Sequence, residues 1–136
     1  MSEVLKIFSE KRISGSELFD FVRSLGGYII DAIDPTHIQG VLELGKATIW
    51  VIYPEDIKDR DTEFFKENYN LDVNTKIILE MGNADGTAKL ALGFCKSFMN
   101  HYPSSVILED NGRIKYYTSN EIQRTECSED DIWVVR

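Results

Sequence analysis

Apolar residues recur along this chain at two spacings, three-to-four and two, and the switches between them mark its elements. Leu18, Phe21, Val22 and Leu25 follow helical spacing. Ser14 precedes them as a small capping hydroxyl, and Glu17 places a carboxylate at the positive end of the helix dipole. Gly26–Gly27 then end the helix by tolerating positive φ. The next residues read as strands: Tyr28–Ile33, closed by Asp34–Pro35, then His37–Leu44 and Ala47–Tyr53. Gly45–Lys46 between the last two suits a tight hairpin turn.

Pro54–Glu55–Asp56 changes the pattern. Proline is tolerated in a first helical turn, and the acidic residues that follow favour a helix start, so a loop or short helix leads into a helix over about 62–69. Asn74–Met81 is the next strand, and the cluster Gly82–Gly86 is a turn. The pattern from Thr87 to His101 is the clearest in the chain. Ala88, Ala91, Leu92, Cys95, Phe98 and Met99 share one helical face, which Leu90 and Phe94 widen, and Pro103 stops the helix. Two more strands, Ser105–Glu109 and Arg113–Tyr117, flank an Asn111–Gly112 hairpin turn. Thr118–Glu121 caps a short helical turn. The final Ile132–Val135 is too apolar to hang in water, so it is either a docked edge strand or an interaction element. These parts predict an α+β fold: a mostly antiparallel sheet of five to six strands, linked largely by hairpins, with helices packed on one face.

A length of 136 residues fits a single domain over 1–136, with the acidic segment 126–136 docked at an edge. No apolar run approaches the ~18–20 residues of a membrane span. The first residues, with Glu3 among them and no long apolar core, do not read as a secretory signal. Cys95 lies in the apolar helix pattern and Cys127 in the acidic tail. Nothing suggests a bridge between them, and reduced thiols in a cytoplasm are the expectation. Lys and Arg number 15 against 23 Asp and Glu, a formal net charge of −8. Phosphate backbones and anionic membranes should repel such a chain, whereas a basic protein would attract it.

Candidate chemistry is sparse. The two histidines, His37 and His101, have no ligand-like neighbours in sequence, and the spacings of cysteine and histidine metal sites are missing. His101 suits the C-terminal end of a helix dipole. Gly82-Asn-Ala-Asp-Gly86 precedes a helix, yet it lacks the Gly-Lys-Ser/Thr ending of a phosphate loop, and Asp85 would repel phosphate. The expectation is therefore a non-enzymatic protein with no cofactor and no metal.

Two acidic groups stand out as candidate partner-binding residues. The first is Glu55, Asp56, Asp59, Asp61 and Glu63, partly offset by Lys58 and Arg60. The second is Glu126, Glu129, Asp130 and Asp131 beside Trp133. Charge of this kind accelerates encounter with a basic partner, while buried aromatic anchors supply most of the affinity. Trp133, beside acids, has that mixed character; Trp50, in a dense apolar strand, is expected in the core.

The order of landmarks carries a resemblance. A Gly-Tyr strand start is followed by Gln39-Gly-Val-Leu-Glu-Leu-Gly45 and Ile49-Trp-Val51, an acidic Pro-Glu segment, and an Ala/Leu-rich helix ending in Tyr102-Pro103. Val106-Ile-Leu-Glu-Asp-Asn-Gly-Arg-Ile114 and Asn120-Glu-Ile122 complete it. Over about residues 26–122 this resembles the small acidic bacterial immunity proteins that accompany polymorphic toxins, including those of contact-dependent growth inhibition. The resemblance implies a cytoplasmic protein that binds and neutralises a cognate toxin domain, often a basic nuclease, by stoichiometric inhibition. It assigns no binding residues. A cytoplasmic adaptor module is the alternative reading, and a small enzyme with an unrecognised site comes third.

Overall fold

The computed structural model describes residues 3–31, 38–110 and 113–136. The expected strand end at Asp34–Pro35, His37, and the Asn111–Gly112 turn lie outside the described residues. Element order is β1 (Glu3–Ser9), α1 (Gly15–Ser24), β2 (Tyr28–Asp31), β3 (Ile38–Leu44), β4 (Ala47–Tyr53), α2 (Asp59–Tyr69), β5 (Thr75–Met81), α3 (Thr87–His101), β6 (Ser105–Asp110), β7 (Ile114–Thr118), α4 (Ser119–Gln123), β8 (Thr125–Cys127) and β9 (Trp133–Val135). Seven strands form one sheet in the order β2-β3-β4-β5-β1-β6-β7, and β8 pairs with β9 as a separate ribbon. Every strand pairing among the described residues is antiparallel. The α+β class with an antiparallel sheet is therefore the architecture of the chain.

Two details differ from the sequence-based expectation. The sheet has seven strands rather than five to six, because Glu3–Ser9 is a strand, and a central one. It runs between β5 and β6 in register Ile7↔Ile77 and Ile7↔Ile107. Its partners lie far along the chain, so no nearby turn announces it. The helices also divide between the two faces. Leu5, Ile7, Ile49, Val51, Ile77, Leu79 and Ile107 share a core with α1, α3, α4 and Trp133. Phe8 and Val106, one residue out of phase on their strands, share a second core with Phe65 of α2. Alternation along a strand puts these two sets on opposite faces.

Local capping follows the expected chemistry. The Ser14 side chain accepts from the Glu17 amide at 3.1 Å. Thr118 and Glu121 form a reciprocal capping box at α4. Helix α2 starts at Asp59, earlier than expected, with Asp59 and Asp61 in its first turn. Pro54 stands outside it, in the connector from β4, and its peptide bond with Tyr53 is cis. On the first face, α1 meets α3 through Phe21, whose ring lies 5.7 Å from Phe94 and 6.1 Å from Phe98. Helix α1 also presses on β3, where a Cβ at Gly40 would stand 3.1 Å from Val22, and the turn after α1 lies so close that a Cβ at Gly27 would stand 2.6 Å from the Val41 carbonyl oxygen. Of the terminal apolar residues, Trp133–Val135 dock, with β9 paired to β8 and Trp133 in the main core, while Ile132 remains 59% exposed.

Candidate functional site

The two acidic groups singled out from the sequence stand on elements that pack on opposite faces of the sheet. In the first group, Asp56, Asp59 and Glu63 are exposed, and Glu55 is half-buried. Asp61 turns inward and accepts from Lys76 Nζ at 3.2 Å, with the lysine side chain only 7% exposed and the aspartate 21%. That pair ties the first turn of α2 to β5. The ammonium also sits 5.4 Å from the Phe8 ring centroid, a second compensation for a buried charge.

The second group borders the β8–β9 turn, which packs on the α3 side. Glu129 and Asp130 are exposed there, and among the described residues neither has a hydrogen bond or ion pair. Glu126 pairs with Arg136 at 3.1 Å. Asp131 closes the turn in a left-handed conformation, φ 62°, and accepts from Cys127 Sγ at 3.6 Å. Burial, and then this carboxylate, push the Cys127 thiol up from its ordinary value. Trp133, a candidate partner-binding residue in the sequence, is 6% exposed. Its ring lies edge-on to Tyr117 at 5.4 Å, and its Nε1 donates to the Ala88 carbonyl at 2.8 Å. Its proximity to acids in sequence says nothing of which way the indole points, and it points into the core.

The second core covers only part of its face. Helix α2 lies over the end formed by β1, β6 and β7, where Phe64 stacks on Tyr116 at 4.9 Å and Phe65 packs on Phe8 at 4.3 Å. Over β2, β3, β4 and the neighbouring part of β5 no helix among the described residues covers the same face, although Val41 there is only 2% exposed. One row runs Tyr28–Val41–Trp50–Glu80 and the next Ile30–Gln39–Ile52–Ile78. Tyr28 is 47% and Ile30 37% exposed, and Trp50, Ile52, Ile78 and Glu80 are half-buried. Tyr28 donates its hydroxyl to Glu43 at 2.6 Å. The expectation that Trp50 is core is thus corrected: alternation aims it at the face that α3 does not cover. The signal available in the sequence was the alternation itself, Thr48, Trp50 and Ile52 against Ala47, Ile49 and Val51.

Two clefts lie elsewhere on the surface. A groove of about 310 Å³ lies between the segment 12–14 and the start of β5. Around it, Tyr53 donates to the Ile13 carbonyl at 2.5 Å, Thr75 to Lys11 at 2.7 Å, and Asn74 to Glu10 at 2.8 Å. These bonds hold the loop after β1. A cleft of about 510 Å³ lies between Lys89 of α3 and the acidic ribbon turn. Among the described residues no group of three or more His, Cys, Asp or Glu is arranged to hold a metal ion. Nor is any helix there long and apolar enough to cross a membrane. No protein-family model matches the chain, and neither curated proteins nor solved structures yield a match.

Proposed function

We propose that this protein is a stoichiometric inhibitor of a basic protein domain, an immunity protein that binds and neutralises a cognate bacterial toxin domain. The observation that carries the reading is the distribution of surface charge. A chain of net charge −8 displays Asp56, Asp59 and Glu63 around the start of α2, and Glu129 and Asp130 on the ribbon turn, all of them exposed. Such carboxylates steer a basic domain into encounter and disfavour acidic competitors. The landmark resemblance over about 26–122 supports the same reading and supplies the toxin context. A nuclease is the toxin class whose cationic substrate cleft best complements this surface.

The deciding experiment is calorimetry against the C-terminal domain of the protein encoded immediately upstream, paired with co-expression in cells. One-to-one binding near ~1 nM, about −12 kcal/mol, together with protection from that domain's toxicity, is expected. An absence of heat and of protection would overturn the reading.

A further inference from the structure

The open half of the sheet face combines an aromatic side chain, aliphatic neighbours and carboxylates in one place. Trp50 pairs directly with Glu80 on the adjacent strand, which sets their Cβ atoms ~4.5–5.5 Å apart. The indole reaches over Gly82, where a Cβ would stand 3.7 Å from its six-membered ring. Among the described residues neither Trp50 nor Glu80 has a side-chain hydrogen bond or ion pair. We infer that this half-face is the docking surface for the basic partner, with Trp50 and Glu80 together seating an arginine or lysine side chain. The inference rests on the inhibitor reading above and names the surface through which inhibition works.

Three observations favour a basic occupant. An indole face and an adjacent carboxylate are the two groups that a guanidinium engages at once, by stacking and by charge-assisted hydrogen bonding. Glu43 extends the negative charge along β3, so two carboxylates, Glu43 and Glu80, face one cation on these rows, Lys6 opposite Ile78. The first turn of α2, with exposed Asp59, borders the same area because Asp61 anchors it to Lys76 of β5. A second copy of this chain is the poorer occupant, since each copy carries −8 and like charge would be brought together. The apolar residues Ile30, Ile52 and Ile78 supply area that is removed from water around the charged contact, the arrangement in which such contacts are strongest.

The test is a titration of isotope-labelled protein followed residue by residue by NMR. The first probe is the C-terminal domain of the protein encoded immediately upstream. The expected result is shifts at Tyr28, Trp50, Ile52 and Glu80, including the Trp50 indole N–H. Glu80→Lys should weaken binding by about tenfold or more, while Asp20→Lys on α1, an exposed acid on a helix that packs on the opposite face, should weaken it by less than about threefold. A Glu80→Gln variant with a native spectrum separates a lost contact from a lost fold. Binding whose shifts are confined to α3 and the ribbon, or binding unchanged in Glu80→Lys, overturns the surface and leaves the inhibitor reading intact. If that domain does not bind, the inhibitor reading fails, and an oligo-arginine peptide decides the surface alone. A Trp50 indole shift that disappears in Glu80→Lys supports it; shifts elsewhere, none at all, or concentration-dependent shifts of this face without any probe overturn it.

Discussion

The indole N–H of Trp133 donates to the carbonyl oxygen of Ala88 at 2.8 Å, and this bond fastens the last strand of the chain to the first turn of α3. Trp133 also fills the core beside Tyr117. Trp133→Ala should therefore cost about 3–5 kcal/mol, the range for truncating a buried aromatic. Trp133→Phe keeps much of the packing and should cost markedly less. Urea denaturation of the two variants checks the order; equal and small losses would mean that the ribbon is not fastened as described.

Lys76 and Asp61 offer a test of buried-charge logic. Removing the acid alone leaves an ammonium under α2 with only the Phe8 ring for compensation, so Asp61→Ala should destabilise by about 1–3 kcal/mol. Replacing both partners, as in Asp61→Leu/Lys76→Met, removes the two desolvation penalties together and should recover most of that loss. A double-mutant cycle reads the coupling directly. Additive losses would show that the pair is too wet to matter.

Stability should decline at alkaline pH, and two tyrosines identify why. Burial, and then the hydrogen bond and charge of Glu17, raise Tyr102 above its ordinary value. Burial and the charge of Glu109 do the same to Tyr117. A group whose folded-state value is raised holds its proton more tightly when folded. Its contribution is complete below the unfolded tyrosine range, near ~10, and is lost as pH rises above it. Denaturation midpoints should hence fall from about pH 10 upward, and a Tyr102→Phe/Tyr117→Phe variant should show a shallower fall. Equal slopes in variant and wild type would refute the assignment.

Gly27, in the turn between α1 and β2, is held close against both β3 and the α1 residue Val22. A methyl group there would meet the Val41 carbonyl oxygen at 2.6 Å and Val22 Cγ1 at 2.7 Å, and a backbone oxygen cannot swing aside. Gly27→Ala should cost about 1–3 kcal/mol by overpacking. Gly93→Ala, where nothing stands within 4 Å, should instead be neutral or stabilising, because alanine is the better helix former by ~1 kcal/mol. Thermal melts of the two variants distinguish a steric cause from a general intolerance of substitution.

Features whose physics is local are legible in the sequence. The Ser14 cap, the Thr118–Glu121 box, the helical face from Ala88 to Met99 and the hairpin across Gly45–Lys46 each depend on residues within a few positions of one another. Their energetics act in the chain wherever it is placed. The net charge of −8 is equally plain. Pairing, burial and facing are not, because they depend on residues far apart in sequence. Glu3–Ser9 becomes a central strand only because β5 and β6 arrive on either side of it. The exchange of roles between the tryptophans has the same origin. Both lie in apolar strands, but α3 covers the face that receives Trp133, while α2 stops short of the face that carries Trp50. The sequence alone determined most of the helices and strands and how much charge the surface bears. Which side chains that surface presents together depends on packing, since a strand's alternation names two faces and leaves open which of them is covered.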